Sequence, residues 1–290
     1  MFTDANTGYK KLDRTTFPEC SLFERICRDG LSVIYPFKSA TSPDPQGWKF
    51  GAGFPPSHQA FGRMRSLLTL HDALLLKRRR VLEVAAGGCG LAAALEQSGC
   101  RIVVNDLRES QTFEALEEYA NGGEIKFAGG NMFDLSSEQI GKFDLVLACE
   151  VIEHVAHPSV LLAHLKNFLD TDGRILLTTP NGAYFRNKLP TYDEIADFDE
   201  LEARQFMPDA DGHLFLLTPQ ELTRLAASVG LQVEILKAWG TPLLSGHAGL
   251  KYLRRVSPRA AYRTEQLAQR LPSTARERLC FSLSAILRAA

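Results

Sequence analysis

Residues 81–91 read V-L-E-V-A-A-G-G-C-G-L. A short apolar run with a strand's composition meets a cluster of small residues and glycines. It is followed by L-A-A-A-L-E-Q-S-G, which reads as a helix stopped at Gly99. A strand that turns through glycines straight into a helix presents backbone N–H groups at the helix start. That is where phosphates and nucleosides sit in open α/β sheets.

The same rhythm continues downstream. R-I-V-V-N-D, I-K-F-A, F-D-L-V-L-A, R-I-L-L-T-T and L-Q-V-E-I-L-K-A-W read as strands. Between them lie helical patterns over residues 111–119 and 159–169, and T-P-Q-E-L-T-R-L-A-A-S-V-G with a Thr cap and a Gly stop. Strands alternating with helices specify a doubly wound α/β fold with a parallel sheet. A helix is expected at 17–28 and another at 57–76, separated by an irregular stretch rich in Pro, Gly and aromatics. The expected organisation is an N-terminal cap over 1–60, the main domain over 61–240, and a helical C-terminal extension over 241–290. After T-T-P-N, more than thirty residues lack periodicity, too many for an ordinary connection, and read as a lid insert at about 181–212.

Composition narrows the function. The 290 residues are 45% hydrophobic and 23% charged, with a net charge of -1. That balance offers no global attraction for nucleic acid or anionic membrane. Charge is uneven, with eight acidic residues against Arg204 over 193–211 and nine basic residues after position 250. The six cysteines are scattered without a C-x-x-C pair, as in reduced cytosolic proteins. The polar start and the lack of a run of ~20 apolar residues point to the cytoplasm.

Two readings of the glycine loop compete on its residues alone. Gly88-x-Gly90-x-x-Ala93, with Asp106 further on, fits a dinucleotide fingerprint. Glu83-x-Ala85-x-Gly87-x-Cys89 is a degenerate E-x-G-x-G-x-G, the loop that approaches S-adenosylmethionine (SAM). Either way Asp106, ending the second strand, would accept from ribose hydroxyls. The downstream motifs separate the two. V-V-N-D, G-G-N-M-F-D, F-D-L-V-L-A-C-E-V-I-E-H-V, D-G-R-I-L-L-T-T-P-N and H-L-F-L-L-T-P-Q-E-L follow in order. With them the chain resembles class I SAM-dependent methyltransferases of type 11/23 over about residues 74–239. The resemblance implies a Rossmann-like, mostly parallel seven-stranded sheet with helices on both faces. It also implies that Glu83, Ala85 and Gly87 line the methionine end of SAM, that Asp106 and Leu107 hold the ribose, and that Asn131 and Met132 flank the adenine, with Cys149 a small neighbour of the cofactor. Ala85 and Cys89 depart from the usual glycines, and Asn131 from a common Asp.

The stretch C-E-V-I-E-H-V-A-H, residues 149–157, carries the other signal. On a helix, Glu150, Glu153, His154 and His157 fall at i, i+3, i+4 and i+7 on one face. Two carboxylates and an imidazole on one point repel unless they share a proton or a cation. Oxygen and nitrogen ligands of this mix suit Mg²⁺, Mn²⁺, Fe²⁺ or Zn²⁺. With His213, the set Glu150, Glu153, His154 and His213 resembles the E-x-x-E-H…H quartet of metal-dependent O-methyltransferases. These include small-RNA 2′-O-methyltransferases of the Hen1 type and enzymes like the ubiquinone-pathway O-methyltransferases. A bound cation would lower the pKa of an acceptor hydroxyl. Two other readings stay open: His154 or His157 as a metal-free general base, with Glu150 and Glu153 nearby, or a packing role for all of them. His157, before Pro158, reads as a helix end. The expected partner is a hydroxylated small molecule, such as a sugar, a phenol or a secondary metabolite. RNA 3′-end methylation and a non-catalytic SAM-binding scaffold are the alternatives.

Overall fold

The computed structural model describes residues 12–21, 24, 58–87, 89–107, 125–205, 212–244 and 257–290. The seven strands are β1 Arg80–Val84, β2 Arg101–Asp106, β3 Ile125–Gly129, β4 Phe143–Cys149, β5 Leu169–Pro180, β6 Leu231–Trp239 and β7 Ser282–Ala289. They form one sheet in the order β3-β2-β1-β4-β5-β7-β6, parallel from β3 through β5, with β7 antiparallel to both β5 and β6. The chain winds outward from β1 in both directions, so a crevice opens beyond the carboxyl ends of β1 and β4.

Alternation along the central strands builds a core on each face. Val81, Leu145 and Leu147 join Leu91, Leu95, Ile102 and Leu70 on one side. Leu82, Val146 and Ala148 join Leu161, Leu165 and Phe168 on the other. The helices that cover these faces are α1 His58–Leu75, α2 Gly90–Gln97, α3 Ser137–Ile140, α4 Pro158–Asn167, α5 Phe198–Arg204 and α6 Pro219–Ser228, followed by α7 Pro258–Ala268 and α8 Ser273–Leu279. The Thr218 side chain caps α6 in a capping box with Glu221, and Gly230 leaves the helix at φ 69, as the sequence indicates.

The C-terminal extension differs from expectation. Residues 241–290 are not wholly helical, because Ser282–Ala289 is a strand inserted between β5 and β6. Its first six residues are buried, so no alternation marks it, and its Ala and Leu content favours a helix locally. Tertiary pairing overrides that propensity, and the Trp239 indole donates to Ser284 Oγ across 2.9 Å. Among its described residues, the insert carries regular structure that its sequence does not indicate: a 3-10 turn at Tyr192–Glu194 and helix α5, capped by the Asp197 side chain. Of the helix expected at 17–28, Cys20, Ser21 and Glu24 are helical, whereas residues 17–19 are not; residues 22–23 and 25–28, the stretch leading to α1, and the helix expected at 111–119 lie outside the described residues.

The flanking segments are tied to the sheet. Asp72 on α1 and Lys237 on β6 form a buried ion pair, Nζ lying 2.7 Å from Oδ1 and 2.9 Å from Oδ2. The Asp13 amide donates to the Leu236 carbonyl on the edge strand, and the buried Arg276 side chain donates to the carbonyls of Leu12 and Asp13. Met64, Leu67 and Leu68 of α1 pack with Trp239, Leu244 and Tyr262. Helix α1 is thereby held across the sheet, with Arg65 carried toward the crevice.

Candidate active site

The turn after β1 is built on positive φ angles: 52° at Ala85, 52° at Gly87 and 54° at Cys89. Only Gly87 takes that conformation freely, and a Cβ there would meet nothing within 4 Å. The Gly87 amide donates to Asp106 Oδ2 across 2.7 Å, locking the loop to the end of β2. Gly88 lies outside the described residues. Glu83 is buried with its Oε2 unpartnered, and its pKa is pushed up to about 8 by burial, against the Ala92 amide and with Asp106 adding to the rise. Burial likewise pushes the Cys149 thiol up to about 12, with Glu83 next in effect. A thiol held neutral is a packing neighbour rather than a nucleophile.

The next loop is organised by Asn131, which the sequence singled out, and by Asn105 and His164, which it did not. Asn105 Nδ2 donates to the carbonyls of Ala128 (2.7 Å) and Gly130 (2.9 Å), joining β2 to the turn after β3. Asn131 Oδ1 accepts from the Phe133 amide at 3.1 Å and caps a 3-10 turn over Met132–Asp134. That bond occupies one lone pair of the oxygen expected to meet the adenine amino group. His164 on α4 bonds the Met132 carbonyl at 2.8 Å. Met132 is buried, whereas Leu107, beside Asp106, is 49% exposed. The only sequence signal for Asn105 was a polar residue in an apolar strand, and His164 gave none.

The expected α-helical face over 150–157 does not form. Glu150 adopts φ 56, which breaks the chain after β4, and a 3-10 turn covers only Ile152–His154. His157 sits at the N-terminus of α4, stacks on Phe198 and pairs with Glu202 of α5 at 2.5 Å. It is thus the helix-end residue its Pro158 neighbour suggests. Glu153, His154 and His213 do converge: one ligand atom from each lies within 4.8 Å of the others. The two imidazoles meet edge to face, 5.0 Å between centroids. His213 Nε2 stands 3.9 Å from Glu153 Oε1, and the Leu214 amide donates to the Glu153 carbonyl at 2.9 Å, which brings the end of the insert to the turn. Glu150 lies outside this group of three and pairs with Arg65.

Glu153 is fully buried. Its pKa is raised well above the usual carboxylate value, first by burial and then by Glu150. Thr179 donates to its Oε2 at 2.9 Å, while Oε1 has no hydrogen-bond partner. Glu150 Oε1 is orphaned in the same way. Burial and His154 lower the His213 pKa, leaving a neutral imidazole with a lone pair to offer. Buried, unpartnered carboxylate oxygens beside two imidazoles are the donors a divalent cation requires, so these residues fit such a group.

A doubly wound sheet with an antiparallel β7, a glycine turn after β1 and an acidic residue ending β2 defines a class I SAM-dependent methyltransferase. The chain belongs to the methyltransferase-domain family, whose profile matches residues 57–235. It is 27% identical over 157 residues to a ubiquinone biosynthesis O-methyltransferase of Xanthomonas axonopodis pv. citri, covering 53% of this chain and 63% of that protein. It is 26% identical over 213 residues to one of Bordetella avium, covering 71% and 86%. The chain thus spans less than two thirds of the first of these relatives. Among solved structures, the CcbJ methyltransferase of Streptomyces caelestis superposes with a TM-score of 0.51 at 18% identity, over 84% of this chain and 99% of that one. At that identity the likeness concerns the fold. Among the described residues, no helix is long and apolar enough to cross a membrane.

Proposed function

We propose that the protein transfers the methyl group of SAM to a hydroxyl oxygen of a small hydroxylated molecule. The observation that carries this is the convergence of Glu153, His154 and His213 at the carboxyl edge of β4, next to the loop that approaches SAM. A neutral amine nitrogen already carries a free lone pair and attacks the methyl group without such a cluster. An alcohol or phenol must lose a proton as it attacks the sulfonium methyl, and these groups can take or stabilise it. The ubiquinone-pathway relatives support oxygen as the acceptor atom.

On this reading Glu83, Ala85, Gly87, Asp106, Leu107, Asn131, Met132 and Cys149 surround SAM. The ionised Glu83 answers the positive charge of its methionine end, and Asp106 receives its ribose hydroxyls. Glu153, His154 and His213 would hold a divalent cation, with Glu150 adjacent. Such a cation supplies Lewis acidity, lowering the pKa of a hydroxyl it binds. The residues' own part is to fix that hydroxyl toward the methyl group; in the absence of a cation the imidazole lone pairs are instead available to accept its proton. The near-zero net charge favours a small acceptor over RNA.

The test is methyl transfer from isotope-labelled SAM to a panel of phenols, catechols and sugars, with a 3′-hydroxyl RNA oligonucleotide in parallel. Each is assayed with and without EDTA. O-methylated small products, lost in EDTA and restored by a divalent ion, are expected. Labelling of RNA alone, or of nitrogen, overturns the acceptor assignment. Full activity in EDTA removes the cation and leaves the two histidines as the base.

A further inference from the structure

Arg65 reaches the acceptor site from α1, outside the alternating strands and helices that carry the other site residues. Its Nη1 stands 2.7 Å from Glu150 Oε2, with the two side chains 22% and 17% exposed. Glu150 is held by its backbone as well: its amide donates to the Thr178 carbonyl at 2.8 Å, and its φ of 56 departs from the expected helix. Non-glycine residues in that conformation cost on the order of 1 kcal/mol and persist where surrounding contacts hold them. The neighbouring Glu153 has Thr179 on Oε2; both carboxylates keep an unpartnered Oε1, but that of Glu153 stands 3.9 Å from His213 Nε2, and Glu153, not Glu150, shares a ligand group with His154 and His213. The two carboxylates therefore differ in the partner on Oε2, one cationic and one neutral, and in which of them meets the two histidines.

We propose, resting on the cation reading above, that Arg65 withdraws Glu150 from the ligand set, so that the cation site consists of Glu153, His154 and His213 alone. The pattern is one carboxylate and two imidazoles, with the remaining coordination positions left to the acceptor and water. Arg65 is then a positioning residue. By neutralising Glu150 it leaves the site less negative, which favours the ionised form of an acceptor hydroxyl. A quartet that used both carboxylates would hold the ion more tightly and activate the hydroxyl less.

Mn²⁺ binding to the whole protein, measured by calorimetry and electron paramagnetic resonance, tests this, with SAM binding as the control for folding. Glu153→Gln and His213→Gln should each weaken Mn²⁺ by more than about tenfold, since losing even outer partners of a ligand costs 10–100-fold. Glu150→Gln should leave Mn²⁺ affinity within about threefold of the parent, less than the loss expected from any outer partner. Arg65→Gln should hold the ion as well as the parent or better, because Glu150 is released toward it. Equal losses in Glu150→Gln and Glu153→Gln, or a loss in Arg65→Gln, overturn the inference while the cation reading stands. A parent protein that binds SAM but no Mn²⁺ overturns both.

Discussion

Thr179 donates its hydroxyl to Glu153 Oε2 across 2.9 Å, and both side chains are fully buried. This bond joins the end of β5 to the 3-10 turn after β4, and it leaves Glu153 with a single oxygen for the site. Thr179→Val keeps the shape and removes the donor. A buried carboxyl deprived of its hydrogen bond costs about 1–3 kcal/mol. Urea unfolding of the variant should show that loss, and an unchanged midpoint would mean the bond contributes nothing.

Asp106 carries a second structural bond, from the Gly87 amide at 2.7 Å. Removing it in Asp106→Ala frees the loop and deletes the expected ribose acceptor together. SAM affinity should fall at least tenfold, about 1.4 kcal/mol, by isothermal titration. An equal affinity would remove Asp106 from the cofactor site.

Glu83 should make stability and cofactor binding depend on pH. Its folded-state pKa of about 8 lies above the ordinary carboxylate value of 4.5, because burial disfavours the charge. The folded state then binds more protons than the unfolded state between those values. Its contribution to stability is complete below the lower pKa and is lost as pH rises through the upper one, with a slope of at most about 1.4 kcal/mol per pH unit. Glu83→Gln should remove this slope from the cofactor-free protein. SAM, being positively charged, should favour the ionised side chain and release a proton near neutral pH. Calorimetry in buffers of different ionisation enthalpy reads that release directly, and a buffer-independent heat would contradict it.

Ala85 holds φ 52 where the related loops carry glycine. Ala85→Gly relieves a conformation that L-residues avoid, though the unfolded chain also gains freedom. The net effect should be a gain of up to about 1 kcal/mol in the cofactor-free protein, read as a higher melting temperature. A lower melting temperature would show that the Ala85 methyl packs usefully.

Contiguous motifs were legible in the sequence. The strand–turn–helix at 81–91, the order of the following strands, the α6 cap and stop, and the grouping of Glu153 with His154 all rest on neighbours in the chain. Local periodicity and turn chemistry suffice for such features. His213 entered only by family resemblance, because no local rule links it to Glu153. The Glu150–His157 face failed for a specific reason: a helical spacing argument assumes helical dihedrals, and Glu150 does not have them.

Tertiary structure alone decided the rest. The left-handed angles at Ala85, Cys89 and Glu150 are imposed by their surroundings, since none of these residues prefers them. Strand β7 forms because two strands flank it, against its own helical composition. Arg65 meets Glu150, and Thr179 meets Glu153, because the sheet and α1 bring distant segments to one edge. The sequence by itself determined the class of fold and the kinds of side chain at the site. Which carboxylate faces the histidines and which is bound to an arginine depended on long-range packing, because a sequence carries residue types in order and not the distances between side chains far apart along it.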